Sequence, residues 1–470
     1  MNTLIQTISN TAASAIQANN FYMAYKDRWK FLLESYMGGE EYRQAGHLTR
    51  YQLETAHEYQ ARLNATPLDN HCKSVISVYN SFLFRTEPTR DYGSQANNPD
   101  VIDFLRDADF EGRSLDNFMK DVSTWSNVFG HCWVLMVKPD VGAVTRADEV
   151  AIGVRPYVNL LTPLSVLDWQ WERSISGRYT LSMFKYVEDI NGDLITIRTW
   201  TPTDIVTTQY NNKDEVVVNE FVEPNGLGKI PAVVAYANRS TVRGMGISSI
   251  TDIADAQKFI YNATSEVDQS IRLDSHPSLV KTPETNAGVG AGAIIHMPEN
   301  LDPGLKPYVL DFAGANVDSI YNAIQRTIDS IDKMANTGAI RATESRTLSG
   351  VAMETEFSLL NAKLSEMADN MELAEEQMWR LWCEYQQVPF DMTIDYPGSF
   401  NIRDTASEIQ QLATAANTNP ADPRVKAAID VKILDWLDLD EDELAAMADL
   451  TLANPNTIAE SGELPPGSIV

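Results

Sequence analysis

Cysteine is scarce in this chain, with three in 470 residues. Cys72, Cys132 and Cys383 each lie in an apolar pattern, and none belongs to a C-x-x-C pair. An odd number of scattered cysteines argues against a disulfide framework, and their spacing argues against a structural zinc site. We therefore predict three reduced thiols in the protein core.

Long apolar segments are absent as well. No stretch of 18 or more apolar residues occurs, and the first thirty residues contain no basic region followed by an apolar run. A membrane-spanning helix needs the first pattern and a secretory signal peptide needs the second. The sequence thus predicts neither membrane insertion nor export by a signal peptide.

Positively charged residues are much fewer than negatively charged ones. There are 37 lysines and arginines against 65 aspartates and glutamates, and the formal net charge is -28. A protein that binds nucleic acid through a broad surface neutralises phosphates with lysine and arginine, which this composition excludes. Any contact with DNA is expected to be local or repulsive.

Recognisable catalytic motifs are missing too. The segment Gly226 to Lys229 reads GLGK, but Glu223 occupies the place of the first phosphate-loop glycine and Ile230 follows the lysine. Asp438, Asp440 and Asp442 have calcium-loop spacing, yet Glu443 stands where that loop needs glycine. No G-x-S-x-G or H-E-x-x-H motif is present. We predict a protein that is not an enzyme and that has no cofactor, catalytic residue or metal site.

What the sequence does contain is an α+β pattern. Helical periodicity runs through residues 21–84, and alternating strand patterns follow HCWVLMV over about one hundred residues. Asn191-Gly192 between two of these strands is a strong hairpin signal. The arrangement predicts an antiparallel sheet packed against the N-terminal helices.

Two helices are predicted further on, over about 250–273 and 317–335, and they bracket a glycine-rich insertion with short strands. A longer helix follows, with a four-three apolar stripe that includes Met353, Leu360, Met371 and Leu381. The stripe could pack on its own chain, which we favour, or form a coiled coil with a neighbour. The segment DMTIDYP is predicted to return to the sheet as a strand.

In this order, the elements resemble the portal protein of tailed bacteriophages. The segments that carry the resemblance are IPAVVAYANR, SSITDIADAQKFIYNATSEVDQSIRLDSHPSLV and SGVAMETEFSLLNAKLSEMADNMELAEEQM, with FEGRSLDNFMKDVSTWSNVFGHCWVLMV earlier. The resemblance covers roughly residues 15 to 455. It implies a mainly helical portal fold with these parts: wing 1–247, stem helix 248–275, clip 276–315, second stem helix 316–335, tunnel loop 336–347, long wing helix and return strand 348–400, crown 401–456, and a tail at 457–470 that we predict to be disordered.

The resemblance implies a structural ring, usually of twelve copies, at one vertex of the virion capsid. Double-stranded DNA would pass through the ring during packaging and ejection, pumped by a separate terminase. Further implied partners are the major capsid protein or scaffold and the head-to-tail adaptor, with assembly in the host cytoplasm and no membrane. The alternatives are another virion ring or adaptor protein and a DNA-processing enzyme.

Two groups of residues follow as candidate sites under this resemblance. The carboxylates predicted to face the channel from the stem are Asp252, Asp255, Glu266, Asp318 and Asp329. The residues predicted to meet DNA at the tunnel loop are Lys333, Arg341, Thr343 and Arg346. Gly338 and the polar run NTGAIRATESRT around it are expected to let the chain leave the stem, loop into the channel and turn back.

Overall fold

The fold is described from a computed structural model. It describes residues 17–139, 152–213, 216–275, 315–341 and 350–400, together with residues 142, 148–149 and 302 and four short strands between 279 and 309. The predicted crown at 401–456 and the tail at 457–470 lie outside the described residues, so both stay predictions.

Four helices lie in the described N-terminal part from residue 17 to 83: α1 (Asn20–Met37), α2 (Gly39–Gln44), α3 (Ala56–Ala65) and α4 (His71–Leu83). Short polar side chains, Asn19, Thr55 and Asn70, cap α1, α3 and α4, because a helix leaves its first N–H groups without intrahelical partners. Thr55 accepts from Glu58 N, and Glu58 in turn accepts from Thr55 N, which completes a capping box at α3. The inner faces of α1 and α4 bury Trp29, Leu33 and Tyr79 in the main core.

The next segment delivers the chain to a central sheet. It contains β1 (Thr89–Asp91), a 3-10 turn (Gly93–Gln95), α5 (Pro99–Arg106), α6 (Leu115–Phe129) and β2 (His131–Val137). Gly130, between α6 and β2, has a left-handed φ of 92°, and a Cβ there would lie 2.6 Å from the backbone of Gly246 and Ile247. Only glycine fits both the conformation and the close approach.

All seven residues of β2 are buried, as its continuous apolar character predicts. Strand β2 is the middle of an antiparallel three-stranded sheet, between β3 (Tyr157–Leu161) and β9 (Ala232–Tyr236). Both neighbours satisfy its backbone groups, with Trp133 opposite Leu161 on one side and Val234 on the other.

A second antiparallel sheet has five strands that follow one another in sequence order: β4 (Val166–Arg173), β5 (Tyr179–Asn191), β6 (Leu194–Trp200), β7 (Asp204–Asn211) and β8 (Val216–Pro224). The predicted hairpin is confirmed between β5 and β6, where Asn191 pairs with Leu194 and Gly192 has a φ of 62°. The α+β class is therefore confirmed.

Two helices then pack against each other: α7 (Thr251–Ser275) and α8 (Ala315–Ala335). Between them lie β10 (Leu279–Val280), β11 (Asn286–Ala287), β12 (Ile295–His296) and β13 (Tyr308–Val309). Strand β10 pairs antiparallel with β13, and β11 pairs antiparallel with β12. The two helices and the strand-containing insertion agree with the sequence pattern.

After α9 (Gly338–Arg341) comes the 37-residue helix α10 (Gly350–Gln386), which contacts α4 and the strands β2, β9 and β14 (Thr393–Asp395). Its stripe is buried within the same chain, which agrees with the interpretation that we favoured over a coiled coil; the buried members are Leu360, Leu364, Met367, Met371, Ala374, Met378 and Leu381. The return strand, β14, pairs with β1 rather than with either larger sheet.

All three cysteines lie in described segments, where they are buried and form no disulfide. Burial raises the pKa of the Cys132 thiol and that of the Cys383 thiol, so both stay protonated at neutral pH. Among the described helices, none combines the length and the apolar character needed to cross a bilayer.

Candidate functional site

Helix α7 is attached to the N-terminal helices by a buried amide. Gln257, fully buried, accepts a hydrogen bond from Cys72 N at 2.9 Å and donates one to Ser35 O at 3.0 Å. Cys72 lies in the first turn of α4 and Ser35 in the last turn of α1, where backbone groups lack intrahelical partners. One side chain of α7 therefore completes the ends of two other helices.

A second attachment lies two turns further along α7. Ser265 Oγ, also fully buried, is 3.0 Å from Arg62 Nη1 and 3.1 Å from Thr66 Oγ1. The guanidinium of Arg62 also pairs with Glu54 at 2.8 Å and stacks on Tyr51, 4.1 Å from the ring centroid. This buried charge is thus compensated, which a cation in a protein interior requires.

The predicted stem carboxylates of α7, Asp252, Asp255 and Glu266, are all exposed. Asp255 accepts hydrogen bonds from both terminal guanidinium nitrogens of Arg28, at 2.9 and 2.7 Å, and Arg28 also donates to Thr251 O at 2.8 Å. The hydrogen bonds that Arg28 donates to Asp255 raise the pKa of Arg28. Arg28 therefore balances the charge of Asp255, whereas Asp252 and Glu266 form no ion pair among the described residues.

On α8, Asp318 is exposed and Asp329 is half-buried. Asp329 Oδ1 lies 3.4 Å from Gln325 Nε2, one turn earlier on the same helix. The apolar stripe of α8 becomes more deeply buried toward its C-terminus, where Ile331 is fully buried, whereas Ile324 remains half-buried. The C-terminal end of α8 is therefore the part that is anchored in the core.

The end of α8 is a joint with defined backbone geometry. Asn336 has a left-handed φ of 57°, Asn336 N donates to Lys333 O at 3.2 Å, and Thr337 N donates to Asp332 O at 3.0 Å. These two bonds form a Schellman motif, which satisfies carbonyl groups that a helix end would leave unpaired. The left-handed residue is Asn336, the first residue of the polar run that was expected to end the stem together with Gly338, and Gly338 itself is the first residue of α9.

Two side chains from distant helices fasten this joint. Tyr79 Oη, on α4, donates to Ala335 O at 2.7 Å, and Lys363 Nζ, on α10, donates to Tyr79 Oη at 2.7 Å. Burial lowers the pKa of Lys363 to about 8, although the nearby Glu366 acts in the opposite direction. We call this arrangement the latch, defined by Lys363, Tyr79 and Ala335.

The predicted tunnel-loop residues lie after or just before this joint. Lys333 is exposed in the last turn of α8. Arg341 is the last residue of α9, and the structure describes its backbone only. Thr343 and Arg346 lie outside the described residues. Where a polar loop was predicted to start at 336, the chain has a buried Thr337 and a short helix, because the Schellman motif turns it back into the core.

Sequence reasoning overlooked both Gln257 and the latch. A signal for Gln257 exists: it is a polar residue between Ile253 and Ile260 on the apolar side of α7, where an amide needs buried partners. The latch has a weaker signal, because Lys363 only flanks the buried stripe of α10. Across the part of the chain that the structure describes, no three His, Cys, Asp or Glu side chains are grouped as metal ligands.

The sequence matches the family model of the SPP1 Gp6-like phage portal protein over residues 24–418. This is well over half of the chain, and the chain belongs to that family. The predicted family is therefore confirmed, and with it the prediction of a structural portal protein. None of the curated proteins matches the sequence.

Several solved structures are similar to this chain. One is the neck of an empty GTA particle computed with C6 symmetry, at 11% identity, with 84% of this chain and 98% of that chain covered and a TM-score of 0.45. A second is the virion of a native gene transfer agent particle, at 10% identity, with 83% of this chain and 97% of that chain covered and a TM-score of 0.43. A third is the neck of a native GTA particle computed with C12 symmetry, at 12% identity, with 83% of this chain and 98% of that chain covered and a TM-score of 0.39. The chain's family membership is shown by the family model, not by these similarities.

Proposed function

We propose that the chain assembles into a ring, of twelve copies, that forms the channel for double-stranded DNA at one capsid vertex of the virion. The order of elements carries this proposal: in a member of the portal family, α7 and α8 pack together and bracket a set of short antiparallel strands. In this proposal α7 and α8 are the stem, residues 276–315 are the clip, residues 336–347 are the tunnel loop, and the remaining sheets and helices up to residue 400 are the wing.

The dimensions of the stem suit a DNA duplex. With 25 and 21 residues, α7 and α8 are about 37 and 31 Å long at 1.5 Å per residue. One turn of B-DNA rises about 34 Å. Asp252 and Glu266 are fourteen residues apart and hence about 21 Å apart along α7, so a ring would present carboxylates along much of one duplex turn.

The charge of these surfaces supports transport rather than tight binding. Asp252, Glu266 and Asp318 are exposed, and a channel lined by their carboxylates repels phosphates and keeps DNA from adhering. At the narrowest part we place Lys333, Arg341, Thr343 and Arg346, which would touch phosphates singly. Few cations at one level of the channel guide the duplex without the cumulative affinity of a broad basic surface.

The partners proposed for this ring are the terminase, the adaptor that joins head and tail, and the major capsid protein or scaffold. Since translocation needs ATP hydrolysis, we propose that the terminase supplies it and that this chain is structural. An ATPase and nuclease assay of the purified chain tests this directly, with no turnover expected and turnover that survives repurification contradicting it.

Native mass spectrometry and negative-stain imaging of the purified chain test the ring. We expect a closed ring near twelvefold symmetry with a central hole wide enough for a duplex. A monomer or dimer at every concentration and ionic strength would count against the proposal.

The tunnel assignment needs a separate experiment. Replacing Arg341 and Arg346 together with alanine should alter DNA packaging or retention while the ring still forms. The matched control replaces Arg85 and Arg380, two exposed arginines elsewhere in the chain, with alanine. Normal packaging by the Arg341 and Arg346 variant would refute the assigned role of these residues.

A further inference from the structure

An arginine and tyrosine cluster lies at the β4 edge of the five-stranded sheet. The guanidinium carbons of Arg243 and Arg173 lie 3.6 and 5.8 Å from the centroid of the same ring, Tyr179. The loop that carries Arg243 is attached to β4, because Trp169 Nε1 donates to Arg243 O at 3.0 Å. Close by, Gly244 N donates to Tyr236 Oη, and Arg239 stacks on the Tyr236 ring at 5.2 Å.

The cations of this cluster have no compensating carboxylate. Arg173, Arg239 and Arg243 are exposed, and so is Arg178 in the turn after β4. Among the residues that the structure describes, none of these four forms an ion pair. In a chain with a net charge of -28, four unpaired arginines around two tyrosines are a local exception. Even with the neighbouring Glu172 included, the cluster keeps a positive charge.

The opposite edge of the same sheet, strand β8, is acidic and apolar, and so it complements the basic cluster. All nine residues of β8 are exposed, and its outer backbone edge pairs with no described strand. The large apolar side chains exposed there are Val216, Val217, Val218, Phe221 and Val222. Glu220 and Glu223 on this strand form no ion pair among the described residues. An exposed apolar edge strand invites pairing or aggregation unless something covers it.

We infer that the β8 edge of one copy packs against the arginine and tyrosine cluster at the β4 edge of the next copy in the proposed ring. The two surfaces are opposite in charge, and both are partly apolar, since Ile175 and Ile247 are exposed beside the arginines. The cluster lies beside the first strand of the sheet and the acidic surface lies on its last strand, and these two strands are about 19 Å apart at 4.8 Å per strand. This inference rests on the ring proposed above.

Symmetry favours a second copy as the occupant. A contact between two different surfaces of identical chains is head-to-tail, and such contacts close into rings when the rotation permits. Because each copy has a net negative charge, neighbouring copies repel each other, and a contact between arginines and glutamates offsets this repulsion locally. Arg and Tyr are also residue types that are enriched at protein interfaces. A duplex is a poorer fit for the cluster, because four arginines interleaved with isoleucine and tyrosine do not follow a phosphate backbone.

Charge reversal tests the contact in the full chain. One variant carries Arg173→Glu and Arg243→Glu, the second carries Glu220→Arg and Glu223→Arg, and the third combines all four changes. Each of the first two should raise the concentration for half-assembly at least about tenfold, and the third should recover most of the loss, because opposite charges again face each other. Arg85→Glu with Arg380→Glu is the control for net charge, and it should assemble within about threefold of wild type.

Cross-linking tests the same contact without changing charge. A chain with both Ile175→Cys and Val218→Cys, treated with a bismaleimide of about 10 Å reach, should give a ladder of covalent oligomers, and each single variant should not. The native cysteines are buried and should react slowly. If the chain with both Ile175→Cys and Val218→Cys assembles into rings but yields no ladder, the inference is overturned.

The outcomes also separate this contact from the ring itself. Rings that form equally well in all three reversal variants would overturn the contact and leave the proposed function standing. Intact rings with weakened DNA binding in the Arg173 and Arg243 variant would assign the cluster to nucleic acid and overturn the contact equally. A wild-type chain that never forms a ring would instead remove the proposed function, and the contact with it.

Discussion

Replacing Lys363 with methionine should stabilise the fold at neutral pH. Burial lowers the pKa of this amine from 10.5 to about 8, and a difference of that size corresponds to about 3 kcal/mol of unfavourable free energy for the charged form. Methionine keeps the unbranched shape but carries no charge, and it loses the hydrogen bond to Tyr79, worth about 1 kcal/mol. The net gain expected at pH 7 is about 1–2 kcal/mol.

The pH dependence gives this prediction a sign. Between about pH 8 and 10.5 the unfolded chain holds a proton on Lys363 that the folded chain has lost, so this lysine makes the wild type gain stability as the pH rises. The advantage of Lys363→Met should therefore shrink from pH 7 to pH 10 and disappear. Shifts from other groups cancel in the difference between the two proteins.

Urea unfolding of both proteins at pH 7 and pH 10 measures the effect. Lys258→Met, at an exposed lysine of α7, is the control and should show little change with pH. Tyr79→Phe should lower stability by about 1–3 kcal/mol, because Ala335 O loses its donor. Equal destabilisation of the fold by Lys363→Met at pH 7 and at pH 10 would refute the argument that burial disfavours the charged amine.

Two further predictions concern buried ionisable groups. Arg90→Met should cost about 3–5 kcal/mol in urea unfolding, because it leaves the fully buried carboxylate of Glu375 without the guanidinium 2.6 Å away, and Arg90→Lys should cost less. Burial lowers the pKa of His131 to about 3, so below pH 6.5 the unfolded chain takes up a proton that the folded chain does not. Stability should fall between pH 6.5 and 3 by up to about 5 kcal/mol, and His131→Gln should reduce that fall in an acid titration followed by circular dichroism.

Periodicity was enough to predict most elements of this fold. The apolar spacing along α7, α8 and α10, the continuous strand β2 and the Asn191-Gly192 hairpin all depend on neighbours in sequence. A helix buries one stripe and a central strand buries both faces, whatever the partner is. The existence and type of these elements could therefore be inferred without knowing the tertiary structure.

Partner choice could not be predicted, because it depends on residues far apart in the chain. Lys363 and Tyr79 are 284 positions apart, and Arg28 and Asp255 are 227 apart. Asp255 illustrates the consequence: on the helix alone it is one more solvent-facing carboxylate, and only the fold reveals the guanidinium that balances it. The pairing of β14 with β1 escaped prediction for the same reason.

The buried amide of Gln257 has a consequence for how the protein opens. Because it binds Cys72 N and Ser35 O together, separating α7 from either α1 or α4 exposes an unsatisfied backbone group at a helix end. The three helices should therefore exchange their amide hydrogens as one cooperative unit, with a common opening free energy. Gln257→Leu would divide that unit. In the variant, the amide hydrogens in the last turn of α1 and the first turn of α4 should exchange independently of those in α7, which joins the two helices in the wild type.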